Sequence, residues 1–125
     1  MSDTAKRALV AEDNPTNQQV AEAILSNAGI DVTIVNNGEA AVQAMRDGRF
    51  DAVLMDIQMP KMDGIQVLSG IKAVDPHVPV IIMTAYASQK TAIEAVNKGA
   101  FHYLIKHARN DEIKMVIRNA LEMRR

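Results

Sequence analysis

The chain has no cysteine. That excludes a disulfide framework, a thiolate nucleophile and a Cys-based zinc site. Aromatic residues are also scarce: Phe50, Tyr86, Phe101 and Tyr103 are the whole set. With 48% hydrophobic residues the core must therefore be aliphatic and methionine-filled. An excess of one charge is missing too. Fourteen Lys and Arg against fifteen Asp and Glu leave a net charge of −1, which argues against nucleic acid or a membrane as the main partner. No apolar run approaches the ~20 residues that span a bilayer. Met1–Arg7 is polar and lacks the apolar region of a signal peptide. The sequence reads as cytoplasmic. Its 125 residues suit one domain, and no linker or composition shift marks a second.

What is present is a regular alternation of strand and helix. Short apolar runs predict strands at about Arg7–Ala11, Asp31–Val35, Asp51–Met55, Val78–Met83 and Phe101–Ile105. Between them lie helical patterns. Asn14 is an N-cap with Pro15 at the first helical position. Val20, Ala21, Ile24, Leu25 and Ala28 then recur on one face, and Gly29 is the expected C′ residue. A second helix is predicted from about Glu39 to Asp47, stopped by Gly48. A third carries Ile65, Leu68 and Ile71, a fourth covers about Ser88–Asn97, and a fifth covers about Asp111–Met123. Gly70 inside the third should cost roughly 1 kcal/mol relative to Ala, and nothing in the sequence explains it. Five strands alternating with helices imply an α/β fold with a parallel sheet, helices on both faces, and ligands bound beyond the carboxyl ends of the strands.

The strand ends carry the chemistry. Glu12 and Asp13 follow the first strand, Asp56 the third, Thr84 the fourth and Lys106 the fifth. A carboxylate at the end of a buried strand is costly to desolvate without a partner. Glu12, Asp13 and Asp56 together repel one another, and a hard cation such as Mg²⁺, which takes oxygen ligands and keeps several waters, resolves the conflict. The Thr84 hydroxyl and the Lys106 ammonium suit an incoming phosphoryl group. One carboxylate can then be the nucleophile of an aspartyl phosphate, and Asp56, on the middle strand, is the choice. Each residue also has an ordinary explanation. Asp13–Asn14–Pro15 suits a plain helix start, Thr84 a strand end, Lys106 a solvated lysine, and Asp63–Gly64 a turn. Their shared position at one edge of the predicted sheet favours the functional reading.

These residues fall in separated motifs: Val10–Ala11–Glu12–Asp13–Asn14, Met55–Asp56–Ile57–Gln58–Met59–Pro60 with Asp63–Gly64, Met83–Thr84–Ala85–Tyr86, and Gly99–Ala100 with Tyr103–Leu104–Ile105–Lys106. In this the chain resembles the receiver domain of two-component response regulators, of the chemotaxis-regulator kind. The resemblance covers nearly the whole chain. It implies a flavodoxin-like sheet of order 2-1-3-4-5 and a single receiver domain over residues 1–125. The helix that is still amphipathic at the C-terminus fits excision from a longer regulator. It implies a phosphorylation-dependent switch in which Asp56 takes a phosphoryl group from a sensor histidine kinase or phosphotransfer protein. Asp13 and Asp56 would ligate Mg²⁺, with Glu12 through water and the backbone carbonyl of Gln58. Thr84 and Tyr103 would be the switch pair, Lys106 the phosphoryl partner, and Gln58 and Tyr86 the positions that tune phosphate lifetime. A downstream effector or second receiver would dock on the fourth helix, fifth strand and fifth helix. The domain would be a signalling module and not an enzyme, one that promotes its own phosphorylation and dephosphorylation.

The family usually has proline after the conserved lysine, and here it is His107. A non-proline cis bond costs ~2.5–4 kcal/mol, so two outcomes are open: a cis bond kept under strain, or a trans bond with a rearranged loop and a less well placed Lys106, and the cost favours trans. His77 and His102 read as loop and surface residues. His107 is the one feature in favour of a degenerate receiver that binds partners without phosphorylation. A dehalogenase-type phosphatase would need a second acid where Gln58 stands. An FMN protein would need a hydroxyl- and glycine-rich loop where Glu12–Asp13 stand.

Overall fold

The computed structural model describes residues 6–56, 64–84, 97, 99–105 and 110–123. Five parallel strands form one sheet: β1 (Arg7–Ala11), β2 (Asp31–Val35), β3 (Ala52–Asp56), β4 (Val80–Thr84) and β5 (His102–Ile105). Their order is β2-β1-β3-β4-β5. The described helices are α1 (Pro15–Asn27), α2 (Gly38–Asp47), α3 (Gly64–Val74) and α4 (Asn110–Met123). The helix expected near Ser88–Asn97 lies outside the described residues except for Asn97, which is helical.

Side chains alternate across a strand, and here the alternation makes two cores. Leu9, Val53, Met55, Val80 and Ile82 face one side, where Met45 of α2 and Leu68 and Ile71 of α3 cover them. Ala8, Val10, Leu54, Ile81 and Leu104 face the other, under Leu25 of α1 and Ile117 of α4. β3 is buried along its full length, as befits a central strand covered on both faces.

Helix boundaries follow local chemistry. Asn14 caps α1, its Oδ1 accepting from the N–H groups of Thr16 at 2.9 Å and Asn17 at 3.2 Å. Asn37 caps α2 by accepting from the N–H of Ala40 at 2.7 Å. Gly29 leaves α1 with φ of 81°, a left-handed conformation that glycine adopts without a steric penalty. The boundaries of β3, β4 and β5 differ from the expected ones by one or two residues. β4 begins at Val80 because Pro79 has no N–H to give to a ladder; its carbonyl still accepts from Val53 N–H at 3.0 Å. β3 is displaced one residue towards the C-terminus, so Asp56 is itself the last strand residue. Asp51 instead bonds Arg7, donating its N–H to the Arg7 carbonyl at 2.8 Å and accepting from Arg7 N–H at 2.9 Å.

Gly70 has a packing explanation. A Cβ placed there would lie 3.0 Å from Cγ2 of Val42 on α2, so the Val42 side chain packs directly against the bare backbone of Gly70. Gly70→Ala should therefore fail to gain the roughly 1 kcal/mol that helix propensity alone offers. In a Val42→Ala background the same substitution should recover that gain. Urea midpoints of the four proteins in this cycle measure the difference; an equal effect of Gly70→Ala in both backgrounds would refute the steric account.

Candidate functional site

The register sets the site. Ala11 pairs with Val35 on one side and Met55 on the other. Val10 pairs with Leu54, so two residues further on Glu12 comes beside Asp56, on the same face of the sheet. Asp56 pairs with Met83, and Thr84 with Ile105. All these strand ends therefore lie along one edge.

Glu12 is 1% exposed and Asp56 2%. Asp13 is the most open of the three acids. One carboxylate oxygen from each of Glu12, Asp13 and Asp56 lies within 4.8 Å of the others. At an effective dielectric of about 20, two unit charges 4–5 Å apart repel by roughly 3–4 kcal/mol. An arrangement that packs three acids this tightly fits a hard divalent cation, which prefers oxygen donors. The donor set contains no nitrogen or sulfur, so it does not suit zinc in a structural site.

The loop from β1 to α1 holds Glu12 at three points. Glu12 N–H donates to the Val35 carbonyl at 3.0 Å. Glu12 Oε2 accepts from Asn14 N–H at 3.1 Å. The Glu12 carbonyl accepts from Gln18 Nε2 at 2.6 Å. Asn14 performs the capping with Pro15 at the start of α1, so Asp13–Asn14–Pro15 does mark the helix start, and the Asp13 carboxylate joins the acidic cluster as well. Gln18 was not legible in the sequence as a site residue. Its bond runs six residues back across a helix start, a contact without a sequence signature.

Thr84 closes β4, and Tyr103 sits on β5 opposite Ile82. Gln58, Tyr86, Lys106 and His107 lie outside the described residues, as does the Lys106–His107 peptide bond. Lys106 follows directly on Ile105, the register partner of Thr84. An apolar groove lined by Ile24, Leu25, Ile30, Ile117 and Leu121 contains none of the three acids. It lies towards the opposite end of the strands, where Lys6 and Ile30 precede β1 and β2.

A family model for the response regulator receiver domain matches residues 8–118. The chain belongs to that family. Receiver domains of this family serve two-component signalling, and the relatives agree. The transcriptional regulatory protein ZraR of Escherichia coli K12 is 42% identical over 113 residues, covering 90% of this chain and 26% of ZraR. The regulatory protein AtoC of the same organism is 38% identical over 117 residues, covering 94% of this chain and 25% of AtoC. The chain thus spans about a quarter of the length of these curated relatives. Among solved structures, a CheY-like receiver domain from Methanospirillum hungatei superposes with a TM-score of 0.91 at 25% identity, covering 97% of both chains. The receiver domain of a Pseudomonas aeruginosa sensor histidine kinase superposes with a TM-score of 0.87 at 34% identity, covering 95% of this chain and 99% of its own. That receiver was crystallised with a magnesium ion coordinated in its active site cleft. In the present receiver no helix among the described residues is long and apolar enough to cross a membrane.

Proposed function

We propose that this receiver is a phosphorylation-dependent switch in which Asp56 accepts a phosphoryl group from the phosphohistidine of a sensor kinase or phosphotransfer protein. The observation that carries the reading is the convergence of Glu12, Asp13 and Asp56 within 4.8 Å. A Mg²⁺ ion held by Asp13, Asp56 and the Gln58 carbonyl, with Glu12 beside them, would neutralise the acids and the incoming phosphoryl oxygens. An Asp56 carboxylate oxygen bonds to phosphorus as the donor's phosphorus–nitrogen bond breaks, and the imidazole leaves. The Lys106 ammonium pairs with a phosphoryl oxygen, and the Thr84 hydroxyl donates to another. The same constellation promotes later attack by water, so the domain assists its own phosphorylation and dephosphorylation. Gln58 and Tyr86, two residues beyond Asp56 and Thr84, set how long the phosphoryl group lasts.

The phosphoryl group adds about two negative charges and strong acceptor oxygens. Their differential attraction for Thr84 shifts the population between two arrangements of Thr84 and Tyr103. Output passes through the face that includes β5 and α4 to an effector or a second receiver. Residues 1–125 act as one receiver unit. The intact acidic cluster gives no support to a degenerate receiver that works without phosphorylation.

A beryllofluoride titration tests this reading, because the adduct mimics a phosphoryl group on a carboxylate. With Mg²⁺ present, the backbone amide signals of Asp56, Thr84 and Tyr103 should shift saturably. With a chelator they should not move. Absence of any shift in Mg²⁺ would overturn the proposal.

A further inference from the structure

We infer that Gln18 is a positioning residue for the cation site, acting through the peptide that joins Glu12 to Asp13. The inference rests on the metal-site reading above and extends it to a residue that carries no charge. Gln18 grips the β1–α1 loop twice. Its backbone N–H donates to the Asn14 carbonyl at 2.9 Å, and its side-chain amide donates to the Glu12 carbonyl at 2.6 Å. The second bond fixes the plane of the Glu12–Asp13 peptide. The same peptide carries the Asp13 N–H, so its orientation sets the direction in which the Asp13 side chain leaves the backbone. Glu12 is anchored independently by the Val35 carbonyl and by Asn14 N–H. Asp13 is the more open acid, and the Gln18 side chain holds the carbonyl end of its peptide.

The physical consequence is preorganisation. Three acids within 4.8 Å oppose their own convergence. A loop free to rotate the Glu12–Asp13 peptide would relieve that opposition by swinging Asp13 towards water, and a cation would then have to reassemble the site on binding. The Gln18 amide prevents that rotation before the cation arrives. Partners that orient metal ligands are typically worth 10–100-fold in affinity. A single neutral bond at a half-buried position belongs near ~10-fold.

Two substitutions separate this role from simpler ones. Gln18→Leu keeps the volume and removes the donor. Gln18→Glu also removes the donor but adds a negative charge near the site. If charge alone mattered, Gln18→Glu would bind Mg²⁺ more tightly and Gln18→Leu would be neutral. If Gln18 served only the helix start, both would lower the urea midpoint in chelator and leave Mg²⁺ affinity unchanged. The positioning role predicts weaker Mg²⁺ binding in both, about 10-fold for Gln18→Leu. Acetyl-phosphate labelling should recover to the wild-type rate at saturating Mg²⁺.

The measurement is the Mg²⁺ dissociation constant of the whole chain, read from the Asp13 and Asp56 amide signals, with urea melts in chelator alongside. Wild-type affinity in Gln18→Leu, or tighter binding in Gln18→Glu, overturns the inference while leaving the metal site intact. A wild-type chain that binds no Mg²⁺ overturns the metal site and this inference with it.

Discussion

Asp56→Asn should abolish labelling by acetyl phosphate and leave the fold intact. Asp56 ends the central strand with its carboxylate buried and ringed by two further acids, so no other side chain of the cluster shares its place in the register. The asparagine amide has nearly the same shape but is a far weaker nucleophile, and it cannot carry the charge that a cation would bridge. The loss should be complete, not graded. Mass spectrometry of the intact chain after incubation with acetyl phosphate and Mg²⁺ reads it directly, and a retained phosphoryl adduct would identify a different acceptor. A second consequence separates chemistry from folding. Removing one charge from three crowded acids relieves repulsion, so Asp56→Asn should raise the urea midpoint in chelator.

Asp13→Asn should weaken Mg²⁺ binding by at least the ~10–100-fold that loss of an orienting partner costs, because it removes a charged oxygen ligand outright. At limiting Mg²⁺ the labelling rate should fall by a similar factor, since the acids would remain unneutralised beside the incoming phosphoryl oxygens. Binding of Mg²⁺ to the native state stabilises it according to the ratio of free ion to dissociation constant, about 2.7 kcal/mol at a hundredfold excess. That increment should appear as a Mg²⁺-dependent rise of the urea midpoint in the wild type and largely vanish in Asp13→Asn. An unchanged Mg²⁺ response in the variant would remove Asp13 from the site. The two substitutions are not expected to add, because both acids contribute to one cluster.

How much of this was readable in advance differs from residue to residue. The strand–helix alternation was legible because apolar periodicity of 2 and of 3.6 reports which faces are buried. The start of α1 was legible because Asn14 and Pro15 act within their own turn. The end of β3 was missed by one residue, since pairing with Met83 carries the strand through Asp56 and pairing is not a local property. The role of Gly70 was illegible for a related cause: its neighbour Val42 belongs to another helix.

The sequence by itself determined that Asp56 stands where a buried apolar run stops and that a carboxylate there must be partnered or used. It also determined that acids follow the first strand and a hydroxyl and an ammonium follow later ones. The meeting of the three acids was decided only by tertiary structure. Periodicity says which way a side chain faces but not which strand lies beside it. The pairing of Ala11 with Met55, 44 positions apart in the chain, turns Glu12, Asp13 and Asp56 into one cluster. The Gln18 amide belongs to the same level: its partner is chosen by how α1 leaves the sheet, which no local pattern encodes.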